Sequence, residues 1–191
     1  MIRHNSFTQA ILGLGANLSL GDQSIRSTLE SALAELASED ILVQKVSRFY
    51  ATPCFPAGAG PDYVNAAALL ATRLSPQDVL SRFHEIEESH GRVRKERWGG
   101  RVLDLDLLAW GARVMPDANT FRRWQTLPSE RQKEQAPEQL ILPHPRLQDR
   151  AFVLVPMHDV APDWQHPVSG RTVTQMLADL SSEERNAVRA L

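Results

Sequence analysis

The segment Val102–Trp110 reads VLDLDLLAW. Leu103, Leu105 and Leu107 alternate with Asp104 and Asp106, the period of two that places alternate side chains on opposite faces of a strand. One face is predicted to cover a core beneath helices. The other presents two carboxylates side by side, which repel one another unless a cation sits between them.

The segments around this strand follow a regular order. Ala10–Ala16 is a short apolar run with glycines and reads as a strand. Residues 17–22 read as a loop, with Asp22 as helix N-cap. Ile25, Leu29, Leu33 and Leu36 recur at helical spacing. Ile41–Ala51 is predicted as one strand, rich in Val, Ile, Phe and Tyr. Thr52–Asp62 carries three prolines and must be a loop. Tyr63–Thr72 is predicted as a strand. Ser75-Pro76 then opens a helix that Gly91 ends. The order is β-α-β-β-α-β, which predicts an α+β, ferredoxin-like sandwich: an antiparallel sheet with helices on one face, plus a C-terminal extension. The 191 residues are expected to form one domain. Residues 115–140 are expected as an inserted surface loop, and 164–191 as a C-terminal hairpin and helix.

Composition excludes several classes. A net charge of -2 argues against a dedicated nucleic-acid coat. No apolar run is long enough to span a membrane, and the first ten residues lack the apolar core of a signal peptide. Cys54 is the sole cysteine, so an intrachain disulfide is impossible, and a reducing cytoplasm is the expected compartment.

Chemistry concentrates at Gly91–Arg101, GRVRKERWGGR, whose charged residues give a local net charge of +4. Arginine forks suit phosphate oxygens, and the flanking glycines suit a loop that closes over them. A polyphosphate beside Asp104 and Asp106 favours Mg²⁺, which takes one or two carboxylates plus phosphates and water. Neither a P-loop nor a GxGxxG fingerprint occurs. These features describe a nucleotide-dependent phosphotransferase without a P-loop. Two rivals are an RNA-binding module using the basic loop, and a protein of the same fold that has lost catalysis. The first lacks the aromatic residues such sheets carry, and Asp104 and Asp106 would repel a phosphate backbone.

Six ordered blocks carry a resemblance: GLGAN at 13–17, FYATP at 49–53, DYVNAA at 62–67, GRVRKERWGGR at 91–101, LDLDLL at 103–108, and LPHP at 142–145 with RAFVL at 150–154. Together they strongly resemble the 6-hydroxymethyl-7,8-dihydropterin pyrophosphokinases of folate biosynthesis. The resemblance implies a ferredoxin-like enzyme that transfers the β,γ-pyrophosphate of ATP to the pterin hydroxymethyl group and releases AMP, with two Mg²⁺ ions; a monomer is expected. It implies Asp104 and Asp106 as metal ligands, and Arg92 and Arg101 as catalytic cations. Glu87, Arg92, Arg94, Trp98, Arg101, Leu107, His144 and Arg150 fall on the nucleotide side. On the pterin side are Thr52, Pro53 and Phe55, the stacking pair Tyr63 and Phe152, and Asn65 at the ring edge. The chain departs from the family pattern at Gly100, where proline is usual, and at Pro145, where an aromatic often follows the histidine. Its basic loop is shorter by one residue, and 17–22 and 115–140 are longer.

Overall fold

The computed structural model describes residues 6–54, 60–91, 100–128, 131 and 135–191. Strand β1, Thr8–Ala16, lies between β4, Tyr63–Thr72, and β5, Asp104–Trp110, and pairs antiparallel with both. Strand β2, Ile41–Val46, adds antiparallel to β4. The resulting order β5-β1-β4-β2, in which chain neighbours are not sheet neighbours, is ferredoxin-like.

Helices α1, Ile25–Leu36, and α2, Pro76–Ser89, bury their apolar stripes on one sheet face. Leu29, Leu33, Leu36, Val79, Phe83 and Ile86 pack there against Leu12, Leu14, Leu103, Leu105 and Leu107. The cap of α1 is Ser24, whose side chain accepts from the Ser27 amide at 3.2 Å. Asp22 was the sequence expectation; it lies two residues too early to reach the first turn. At α2 the sequence signals hold, with Ser75 accepting from the Asp78 amide and Gly91 at φ 78° after the last turn.

Ile41–Ala51 divides into β2 and a short β3, Tyr50–Thr52. The break has a local cause. Ser47 Oγ accepts from the Ala67 amide at 2.9 Å, so a side chain replaces a backbone ladder bond, and the register with β4 shifts between Val43 and Lys45. Further helices among the described residues include α3, Ala118–Gln125; α4, Ala151–Val160; α5, Val173–Asp179; and α6, Ser182–Asn186.

Helices on one face only was an expectation that needs correction. Helix α4 lies across β4 on the second face. With α5 it buries Val153, Leu154, Met157, Val173 and Met176 against Ile11, Leu108 and Ala109. The sheet supplies this second apolar patch through a bulge: Leu12 pairs with Leu107 but Ile11 with Ala109, so Leu108 is the extra residue. The second face is therefore apolar at one end and polar at the other, where Asp104 and Asp106 stand. The stretch 115–140 is also more than a surface loop. Its helix α3, capped by Asp117, buries Phe121 completely, with His166 5.4 Å away ring to ring. Beyond the turn at 166–170, β6, Arg189–Ala190, pairs with β3, a strand the sequence reading missed.

Candidate functional site

Residues directly opposite in a ladder share a face. Gly15 pairs with Asp104 on one side and Asn65 on the other, and Gly13 pairs with Asp106 and Ala67. Tyr50 opposes Asn65 and Thr52 opposes Tyr63. Asp104 and Asp106 of β5, Asn65 and Tyr63 of β4 and Thr52 of β3 therefore rise from one face of the sheet. Between the acids and Asn65 the surface is made of glycine. A Cβ on Gly15 would stand 2.6 Å from Asn65 Oδ1, so only glycine leaves that amide in place. Asn65 is buried, and its Nδ2 donates to Thr52 Oγ1 at 2.7 Å.

Arg101 enters from the segment before β5. Its Nη1 donates to Asp104 Oδ2 in an ion pair. Burial lowers its basicity, but the charge and hydrogen bond of Asp104 outweigh burial and raise it, so the guanidinium is permanently charged. Burial raises the Tyr63 hydroxyl, and the charges of Arg101 and Asp104 both act on it. Arg150 precedes α4. Burial lowers its basicity, opposed by the charge of Asp106. Phe152, the second residue of α4, is 41% exposed, with the Arg150 guanidinium 5.6 Å from its ring centre. Pro53 is exposed, and next to it the Cys54 amide donates to Asp62 Oδ1 at 3.2 Å, fastening the ends of the loop.

His144 reaches this face because its backbone runs along the free edge of β5: its amide donates to the Leu108 carbonyl at 2.8 Å. Its Nδ1 accepts from the Arg146 amide at 3.1 Å, which leaves the proton on Nε2. Burial, then the charge of Arg150, pushes the imidazole down to about 3. At neutral pH His144 is thus an uncharged N–H donor. The unfolded chain takes up a proton near pH 6.5 that the folded chain refuses until about 3. Its contribution to stability is therefore complete above pH 6.5 and is lost as pH falls toward 3. In nucleotide- and magnesium-free buffer, wild type should lose about 2 kcal/mol more than His144→Gln between pH 7 and pH 4.5. Urea unfolding at several pH values checks this, and parallel curves for the two proteins would refute it.

Two expected nucleotide-side residues are not on this face. Leu107 has the parity of Leu103 and Leu105, and its side chain is buried under the helices. Glu87, 1% exposed on α2, accepts from the Leu105 amide through Oε1 at 2.8 Å. It anchors the acidic strand from behind, so neither the Glu87 nor the Leu107 side chain stands where the resemblance places it. Phe55, Arg92, Arg94 and Trp98 lie outside the described residues. Surface cavities of about 360 Å³ and 300 Å³ lie elsewhere, the first beside Ile11, Leu69 and Trp164, the second beside His166 and Arg171. Among the described residues no group of three or more His, Cys, Asp or Glu could hold a metal. A pair of carboxylates needing further oxygens from a ligand is the donor set that Mg²⁺ accepts.

A model of the 7,8-dihydro-6-hydroxymethylpterin-pyrophosphokinase family matches residues 11–162. The chain belongs to this family. The family match ends just after α4, so α5, α6 and β6 lie beyond it. Among curated relatives, the 2-amino-4-hydroxy-6-hydroxymethyldihydropteridine pyrophosphokinase of Synechocystis sp. is 38% identical over 169 residues, 88% of this chain and 74% of the relative. Its counterpart from Methylorubrum extorquens is 37% identical over 174 residues, 91% and 94% of the two chains. Solved structures of Plasmodium falciparum HPPK-DHPS share the fold at 14% identity. The wild-type chain gives a TM-score of 0.63 over 92% of this chain, and a triple mutant 0.67 over 98%. This chain spans 45% and 48% of those longer chains. A Cβ at Gly100 would stand 2.7 Å from Leu18 Cδ1, so the glycine leaves room for that side chain. Sequence reasoning missed Asn17 and the spacing role of Gly13 and Gly15. The signal was present in GLGAN, two glycines of equal parity ending a strand, followed by an amide.

Proposed function

We propose that this chain transfers the β,γ-pyrophosphate of ATP to the hydroxymethyl oxygen of 6-hydroxymethyl-7,8-dihydropterin, yielding the pterin diphosphate and AMP for folate biosynthesis. One observation carries the reading: paired carboxylates, an amide and a tyrosine rise from one sheet face, separated by a glycine floor. The acids with Arg101, Arg150 and His144 form the polyphosphate side. Asn65, Thr52 and Tyr63 form the pterin side, with Phe152 on α4 as the second stacking ring.

Asp104 and Asp106 would hold Mg²⁺, two ions in the family's manner, which when bound draw electron density from the β-phosphorus and shield phosphate charge. Arg101, fixed against Asp104, offers its remaining N–H groups to charge that builds on the transferred group. His144 donates from Nε2 without adding charge, so it tolerates the neighbouring arginines. Asn65 presents donor and acceptor together, which matches the edge of a pterin. Its bond to Thr52 fixes which way the amide points. Glycines at 13 and 15 let the flat ring and the phosphate chain approach the sheet backbone. Arg92, Arg94 and Trp98, with Phe55 on the pterin side, complete the assignment by family resemblance. The protein works as a cytoplasmic monomer on small-molecule substrates, with no nucleic-acid or membrane partner. No helix of the described residues is long and apolar enough to cross a membrane.

The decisive assay supplies ATP, Mg²⁺ and hydroxymethyldihydropterin and resolves adenine nucleotides. AMP forming in step with pterin diphosphate is expected. ADP as the product, or no turnover, would overturn the reading. Stacking is tested separately. Tyr63→Ala and Phe152→Ala should each weaken pterin binding about tenfold, while binding of a non-hydrolysable ATP analogue changes less than about twofold. Equal losses for both ligands would mean that these rings only support the fold.

A further inference from the structure

The motif GLGAN ends in Asn17, whose side chain is 3% exposed at the end of β1. Both ends of its amide are engaged. Oδ1 accepts from the Arg101 amide at 2.7 Å, and Nδ2 donates to the Pro61 carbonyl at 3.1 Å. Its own amide donates to the Arg101 carbonyl at 2.9 Å, and the Leu18 amide to the same oxygen at 3.1 Å. Residues 17 and 18 are thus sewn to Arg101, with Gly100 allowing Leu18 to close against it.

The two partners belong to different walls. Arg101 pairs with Asp104 and so belongs to the phosphate side. Pro61 closes the loop from Thr52 to Tyr63, whose ends hold the pterin side. Asn17 is the link of one side chain between them. Alanine offers neither group, and serine's donor and acceptor share one oxygen on a side chain too short to span both, whereas the Asn17 amide carries acceptor and donor on separate atoms. We propose that Asn17 is a positioning residue that holds the pterin wall and the phosphate wall in register, so that the hydroxymethyl oxygen meets the β-phosphorus.

This inference rests on the pyrophosphokinase reading above and predicts a split between binding and turnover. In Asn17→Ala each wall keeps its own contacts to its own ligand. Dissociation constants for a non-hydrolysable ATP analogue and for the pterin, measured one at a time, should each change less than about threefold. With the walls out of register, kcat should fall about 100-fold, the loss a misplacement of about 1 Å brings. Asn17→Asp keeps the acceptor for the Arg101 amide but sets an oxygen against the Pro61 carbonyl. It should raise KM for the pterin at least fivefold, leave KM for ATP within about twofold, and lose less kcat than Asn17→Ala. Hydrogen exchange at the Arg101 amide reports the acceptor arm, and should quicken in Asn17→Ala but not in Asn17→Asp. Should Asn17→Ala fail to fold, the Asn17→Asp pattern decides. A folded Asn17→Ala with wild-type kcat would overturn the proposal. So would parallel losses of both binding constants and melting temperature, or an Asn17→Asp whose two KM values move together. Wild type that makes no AMP would sink the pyrophosphokinase reading instead, before either variant is compared.

Discussion

Asp104→Asn and Asp106→Asn should each slow AMP formation by about 10³-fold or more, while neither unfolds the protein. Strand parity brings the two carboxylates together on the glycine-floored face, beside the ion-paired Arg101. A magnesium ion supplies several kcal/mol of charge stabilisation to such a transfer, and about 4 kcal/mol corresponds to about 10³ in rate. An amide keeps the shape of the carboxylate but supplies no charge for the ion. The two variants should differ in stability. Asp104→Asn leaves Arg101 with a weaker acceptor and should lower the melting temperature by about 3 °C, the shift that about 1 kcal/mol brings for a chain of this size. Asp106 is exposed, and its repulsion from Asp104 is offset by its attraction to Arg150 and Arg101, so Asp106→Asn should melt within about 1 °C of wild type. Steady-state AMP release and calorimetric melting check both statements. A variant that kept more than a tenth of wild-type turnover at saturating magnesium would remove that residue from the metal site.

The acidic pair was legible because strand parity is a local property. VLDLDLL fixes which side chains share a face before any partner strand is known, and the structure puts Leu103, Leu105 and Leu107 in the core opposite the acids. The same parity sets the Leu107 side chain on the helix-covered face, away from Asp104 and Asp106. Glu87 was less accessible to such reasoning: its bond to the Leu105 amide joins residues 18 apart and has no sequence signature. The AFVLVPM run that forms α4 carries no such local signal. A continuous apolar run has no period from which to tell helix from strand, and Pro156 within it lowers helix propensity. Its hydrophobicity follows from where it lies, sealed between the sheet and α5. The split between β2 and β3 turns on one serine hydroxyl, and β6 is two residues long; neither length carries a periodicity.

Gly15→Ala should raise KM for the pterin about 30-fold, while Gly13→Ala changes it less than about threefold. The two substitutions add the same methyl group to the same strand, two residues apart and on the same face. What they meet differs. At position 13 the nearest atoms are the ends of the Leu108 side chain at 3.3–3.5 Å, which can give by a few tenths of an ångström. At position 15 the new Cβ stands 2.6 Å from Asn65 Oδ1, closer than real contacts allow. The Asn65 amide must turn, and its bond to Thr52 Oγ1 must break. Both groups are buried, so neither recovers its partner from bulk water. An unpaired buried polar group costs about 1–3 kcal/mol, and about 2 kcal/mol is a factor of about 30 in affinity. Because the damage is confined to the Asn65 side, binding of the ATP analogue should be within about twofold of wild type. Calorimetric titration of each ligand against both variants makes the comparison. Similar pterin affinities for Gly13→Ala and Gly15→Ala would show that Asn65 does not grip the ring, and that the glycine floor serves only the close approach of β1 and β4.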